Sequence, residues 1–74
     1  MNQIIDVRGL EPPHPLVRVL GRLDTLGAGE RLEVIIDRRP LLLYPQLEAR
    51  GFSHVTDEPE PGVFHIMIAR ADKA

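Results

Sequence analysis

The 74-residue sequence predicts a two-layer α/β (α+β) sandwich of order βαβαββ, a four-stranded mixed sheet with two helices on one face. Three observations carry that reading. Four runs alternate apolar and polar residues as strands do, two runs between them repeat apolar residues as helices do, and glycine or proline marks the junctions. Parallel strand–helix–strand units are almost always right-handed, so successive crossovers put both helices on one side and leave the other sheet face open.

The first strand covers residues 3–7 and ends at Gly9. The first helix starts near Pro13, because a proline in the first turn removes no intrahelical hydrogen bond. Leu16, Val19, Leu20, Leu23 and Leu26 recur at helical spacing, with His14, Arg18, Arg22 and Thr25 on the outer side, until Gly27-Ala28-Gly29. Residues 31–36 form the second strand, with Leu32, Val34 and Ile36 on one face and Glu33 and Ile35 on the other. Asp37-Arg38-Arg39-Pro40 turns into a second helix that runs to about Arg50 and closes at Gly51. Pro45 either sits in the first turn of a helix starting near Tyr44 or kinks one that began near Leu41; a tight turn at 40–43 before a short helix is expected. Phe52–Asp57 is the third strand, Glu58-Pro59-Glu60-Pro61-Gly62 a turn, and Val63–Arg70 the last strand, with Phe64, Ile66 and Ile68 inward and His65, Met67 and Ala69 outward.

Residues 1–74 make one domain, with 71–74 expected to fray. A chain this short buries only about 60–65% of its unfolded surface, so the core is thin. The absence of cysteine excludes disulfides, thiolate metal sites and cysteine catalysis. Nine Lys+Arg against 11 Asp+Glu give a formal charge of −2, which argues against a nucleic-acid partner. No basic-headed apolar leader occurs, and no apolar run nears the ~18 residues of a membrane span, so no membrane partner and a cytoplasmic location are expected.

Asp6-Val7-Arg8-Gly9-Leu10-Glu11-Pro12-Pro13-His14-Pro15 resembles the opening of TusA/SirA-like domains. There a strand runs into Gly-Leu-x-Cys-Pro-x-Pro and the cysteine carries sulfur. Gly9, Leu10, Pro13 and Pro15 occupy their places in that pattern, and Pro12 stands at the cysteine position. Gly29-Glu30-Arg31-Leu32-Glu33-Val34 resembles the family's Gly-Glu-x-Leu-x-Val, Asp37-Arg38-Arg39-Pro40 is similar to its Asp-Asp-Pro turn, and Gly51-Phe52 takes the place of its glycine after helix two. The cysteine-free domain-of-unknown-function family 2249 is a nearer likeness. Its members read Asp-x-Arg-Gly-Leu-x-Pro-Pro-x-Pro and later Leu-Tyr-x-x-Leu-Glu-x-Arg-Gly, as Asp6–Pro15 and Leu43–Gly51 do here. Members often carry a histidine in the turn after strand two, where this chain has Arg38-Arg39, so a metal or haem role does not carry over. The resemblance implies a TusA-type fold and a family without an established activity. It also implies the company of redox and nitrogen-oxide metabolism, with fusion to haemerythrin-like domains in some members.

Parallel first and second strands would bring the Arg8–His14 loop and the Asp37–Arg39 turn to one sheet edge, where open α/β sheets bind ligands. Arg8, Glu11, Pro12, His14, Arg18, Asp37, Arg38 and Arg39 would gather there beside two helix N-termini, suiting a small anion or a partner's acidic segment. Equally, Arg8 could pair with Asp6 or Glu11, Asp37 could cap helix two, and His14 could stay solvated; the prolines at 12, 13 and 15 also remove three amides. On the open face Ile35, His65, Met67 and Ile4 would point outward near Glu33, either as a partner or weak homodimer surface or as ordinary scattered exposure. Leu41-Leu42-Leu43-Tyr44 is too apolar a run for one short helix to bury. Leu41 or Leu42 then faces solvent or a partner on a docking rim with Tyr44, unless Pro45 forces an irregular start that tucks them all away.

His14, His54 and His65 lack the spacing of a zinc pair; His54 and His65 could approach across the final hairpin, but two nitrogens do not make a structural site. No metal or cofactor is expected. Ser53 and His54 are too close in sequence to point the same way, Thr25 and Tyr44 have no evident activator, and a His14–Asp37 acid–base pair would have little pocket around it. The expectation is a non-catalytic module that docks another protein in a redox or sulfur/nitrogen-oxide context, without persulfide transfer. The alternative is a small-anion or metabolite sensor using Arg8, His14, Arg38 and Arg39.

Overall fold

The computed structural model describes residues 2–70, so the expected fraying of 71–74 lies outside the described residues. Along these residues run β1 (Asn2–Asp6), α1 (His14–Leu23), β2 (Arg31–Ile36), α2 (Leu43–Ala49), β3 (Phe52–Glu60) and β4 (Val63–Arg70). The strands form one sheet in the order β1-β2-β4-β3, with β1 parallel to β2 and β4 antiparallel to both of its neighbours. This is the expected βαβαββ mixed sheet.

Alternation sorts the strand residues between two faces. Leu32, Val34 and Ile36 of β2 and Phe64, Ile66 and Ile68 of β4 are buried. Register aligns Val34 with Ile5 on one side and Ile66 on the other, so the two central strands carry the middle of the core. The helices close over it with Val19 and Leu23 from α1 and Leu43 and Leu47 from α2. Each such side chain contributes about 1.5–3 kcal/mol by leaving water. Pro15 is also buried, so the proline cluster packs as well as turns.

Helix α1 is shorter than its apolar pattern suggests. It ends at Leu23, and Leu26 reaches the core from the turn that follows, where the Leu26 amide donates to Leu23 O at 3.1 Å and the Thr25 hydroxyl to Arg22 O at 2.9 Å. Helix α2 begins at Leu43, which places Pro45 within its first turn, where it is tolerated.

The largest departure is at β3. The sequence suggests a turn over 58–62, but β3 continues through Glu58 and Pro59 to Glu60, and only Pro61-Gly62 turns. Glu60 pairs with Val63, with a register shift between Asp57 and Glu60. A proline fits here because β3 is an edge strand and its missing N–H interrupts no inner ladder. Gly62 has φ +81, which the tight turn requires and other residues rarely adopt. Among the described residues no helix is long and apolar enough to cross a membrane.

Candidate functional site

The loops leaving the two parallel strands are tied to each other. The Val7 amide donates to Ile35 O at 2.9 Å, carrying the β1–β2 ladder one residue past β1. Gly9, at φ +81, then swings the chain so that its amide donates to Asp37 Oδ2 at 3.0 Å. Asp37 is therefore a clasp between the loops. It does not cap α2, whose N-cap position is Leu42 with no side-chain hydrogen bond.

Past the clasp, Glu11-Pro12-Pro13-His14 folds into a turn with a cis Pro12–Pro13 peptide, and the His14 amide donates to Glu11 O at 2.9 Å. The facing turn is held by the Leu41 amide on Arg39 O and the Leu43 amide on Pro40 O, both 2.9 Å. Between the turns lies a cleft of about 270 Å³. Pro12, Pro13, Pro15 and Leu16 line one side, Leu41 and Leu42 the other, with Arg38 and Arg39 among the lining residues. Leu43 is 2% exposed, whereas Leu41 and Leu42 are 67% and 75% exposed. The start of α2 thus hides one leucine and turns two outward.

The charged residues disperse. Arg8 chelates Asp6, with Nε at 2.9 Å and Nη2 at 2.7 Å from its carboxylate, and the Arg8 amide adds a bond of 3.0 Å. Those hydrogen bonds hold the Asp6 carboxyl below the usual carboxylate range and push Arg8 still higher. Arg39 lies 4.9 Å from the centre of the Phe64 ring, with Nη2 3.9 Å from Glu58 Oε1. Arg38 Nε stands 3.7 Å from Asp37 Oδ1. Arg18 does not join this edge; it borders a separate groove along β1 with Arg22. Among the described residues Glu11 and His14 make no side-chain hydrogen bond, so no His14–Asp37 pair forms. Of the basic residues expected to cluster, only Arg38 and Arg39 reach the cleft, because Arg8 is held by its neighbour and Arg18 lies further along the helix on the β1 side.

Across the open face, register aligns Ile4, Glu33, Met67 and Val55 in one row and Asp6, Ile35, His65 and Asp57 in the next. Ile4, Val55 and Met67 are 64%, 69% and 37% exposed. His65 Nδ1 lies 2.7 Å from Glu33 Oε2, a diagonal pair set between them. Val55 is the apolar member that sequence reasoning missed; with Phe52 inward, alternation turns Ser53, Val55 and Asp57 to the open face.

His54 sits on the other face, so the two hairpin histidines do not meet. It stacks on Tyr44 with ring centres 4.7 Å apart, and its Nε2 lies 3.3 Å from Glu48 Oε2. The Tyr44 hydroxyl is 2.6 Å from Thr56 Oγ1. Tyr44 is thereby turned onto β3 and half-buried, whereas Leu41 and Leu42 stay exposed. Among the described residues no three His, Cys, Asp or Glu side chains cluster as a metal site needs.

Comparison with known proteins follows the same lines. The family model described as an uncharacterized conserved protein, DUF2249, matches residues 4–70, and the chain belongs to that family. Its structure is similar to the crystal structure of a SirA-like protein from Desulfitobacterium hafniense, with a TM-score of 0.82 and 27% sequence identity over 95% of this chain and 99% of that one. No curated protein matches the chain.

Proposed function

We propose that this SirA/TusA-like domain is a non-catalytic module that docks another protein through the cleft between the Pro12–Leu16 segment and the start of α2. The observation that carries the reading is the pair Leu41 and Leu42, held outward beside a wall of prolines. Contiguous apolar surface of this kind marks interaction sites, whereas single exposed residues do not. The occupant that fits is a short segment with a leucine- or phenylalanine-like anchor and a carboxylate near Arg38. Pro12 stands where the resembling sulfur carriers have their cysteine, so docking proceeds without persulfide transfer, and the redox or sulfur/nitrogen-oxide setting rests on that resemblance.

The small-anion alternative has less behind it. Arg8 is spent on Asp6, Arg39 on Phe64 and Glu58, and three prolines supply no amides. For catalysis, the hydroxyl contacts of Tyr44 and Thr56 involve each other and not a base.

The test is photo-crosslinking from position 41 in extract of the source cells. A discrete adduct that disappears with Leu42→Asp, while the variant keeps its fold, supports docking. Adducts indifferent to Leu42→Asp sink it. Saturable amide shifts over Arg38–Leu43 with phosphate or sulfite, and no adduct, transfer the case to anion binding.

A further inference from the structure

A second surface, independent of the cleft, lies along β1. This strand is an edge of the sheet, with β2 as its only paired neighbour among the described residues. Because the Val7 amide bonds to β2, alternation directs the main-chain groups of residues 3, 5 and 7 inward and those of Ile4 and Asp6 outward. Two residues therefore offer an N–H and a C=O each to an added strand. A groove of about 260 Å³ runs beside them, bounded by Ile4–Val7 and by Arg18 and Arg22 of α1.

The two arginines are four apart on α1 and so share one face. Among the described residues neither meets a carboxylate: Arg22 Nη1 donates to Gln3 Oε1 at 3.2 Å, and Arg18 makes no hydrogen bond or ion pair. The one carboxylate in the groove wall, Asp6, is occupied by Arg8. In a chain of net charge −2 this is a local excess of positive charge alongside an unpaired backbone edge.

We infer that β1 accepts an extended acidic segment of a partner protein as a fifth strand. Period two sets the partner's pattern. Side chains on the helix side meet Arg18 and Arg22 and are acidic; those on the open side lie beside Ile4 and are apolar. A second copy of this chain does not supply that pattern. Pairing β1 with β1 would bring Arg18 and Arg22 of the two copies toward each other. In β3 the helix-side residues Phe52, His54 and Thr56 are not acidic, Glu58 is held by Arg39 and by the Gly62 amide, Asp57 lies on the open side, and Pro59 interrupts the edge.

The experiment is an amide NMR titration of the full chain with a heptapeptide of alternating glutamate and valine, and with its lysine–valine twin. The glutamate peptide is expected to shift the Ile4 and Asp6 amides and slow their exchange, and the lysine peptide to leave them unmoved. Arg18→Ala with Arg22→Ala weakens binding by about tenfold. Arg18→Glu with Arg22→Glu, folded as judged by unchanged core amides, reverses the preference between peptides. Equal binding of both peptides, shifts confined to residues 38–43, no shift at millimolar peptide, or concentration-dependent pairing of β1 with another copy would each overturn the inference.

Discussion

The cleft and the open sheet face both expose large apolar side chains, yet they are built differently. At the cleft, Leu41 and Leu42 are sequence neighbours facing a proline wall, with no hydrogen-bonded pair between them. On the open face, Ile4 is divided from Met67 and Val55 by Glu33, whose carboxylate holds His65. Covering the leucines of the first surface removes apolar side chains from water, with the charged heads of Arg38 and Arg39 bordering them; covering the second also means desolvating the Glu33 carboxylate in the middle of the patch, which can offset the gain. Exposure alone does not mark a docking site. Continuity does.

Four substitutions test this contrast, taken from the largest expected effect to the smallest with the two leucines compared together. Leu43→Ala, at the buried member of the leucine run, should lower stability by about 2–5 kcal/mol, whereas Leu42→Ala should stay within about 0.5 kcal/mol. Urea unfolding of the two variants would measure it; similar losses would mean that Leu42 is a packing residue and that the cleft offers no free surface. Next, Asp37→Ala removes the acceptor for the Gly9 amide and should cost about 1 kcal/mol. Amide shifts in that variant should spread through both cleft loops and spare Met67 and Val55. Shifts reaching the open face would show that the two regions are not independent.

The smallest effect belongs to Asp6→Asn at the end of the open face. The folded-state pKa of Asp6 is lowered, so its contribution is fully present above the unfolded value of about 3.9 and is lost as pH falls through the folded value. The wild type should therefore exceed Asp6→Asn in urea midpoint at pH 7, and the gap should close on acidification below about pH 4. A gap that stays constant with pH would show that charge is not its origin.

Much of this was legible in the residues. Alternation in 31–36 and 63–70 assigns the core face directly, and the surplus of leucines at 41–43 announces exposed apolar surface before any coordinates. What could not be read depends on register. The clasp from Asp37 to Gly9 joins residues 28 apart in sequence, and the cleft exists only because parallel pairing of β1 and β2 sets two loops side by side. The placement of His54 and His65 on opposite faces follows from the pairing of His54 with Ile68 and of Asp57 with His65, which composition does not encode. Pro59 misled for a different reason. Proline breaks an inner strand but not an outer one, and which strand is outer is a property of the sheet.

That sheet order also governs how the chain can assemble as it is made. β4 is the last of the strands described, yet it lies between β2 and β3 and, among the described residues, is the strand that hydrogen-bonds to both. Until it emerges from the ribosome, the earlier segments have a parallel pair, two helices and a solitary strand, and the buried faces of Leu32, Val34 and Phe52 lack their partners Ile68, Ile66 and Arg70. Vectorial synthesis thus cannot complete this domain piece by piece. Its cooperative closure waits for the final strand to slide into the gap.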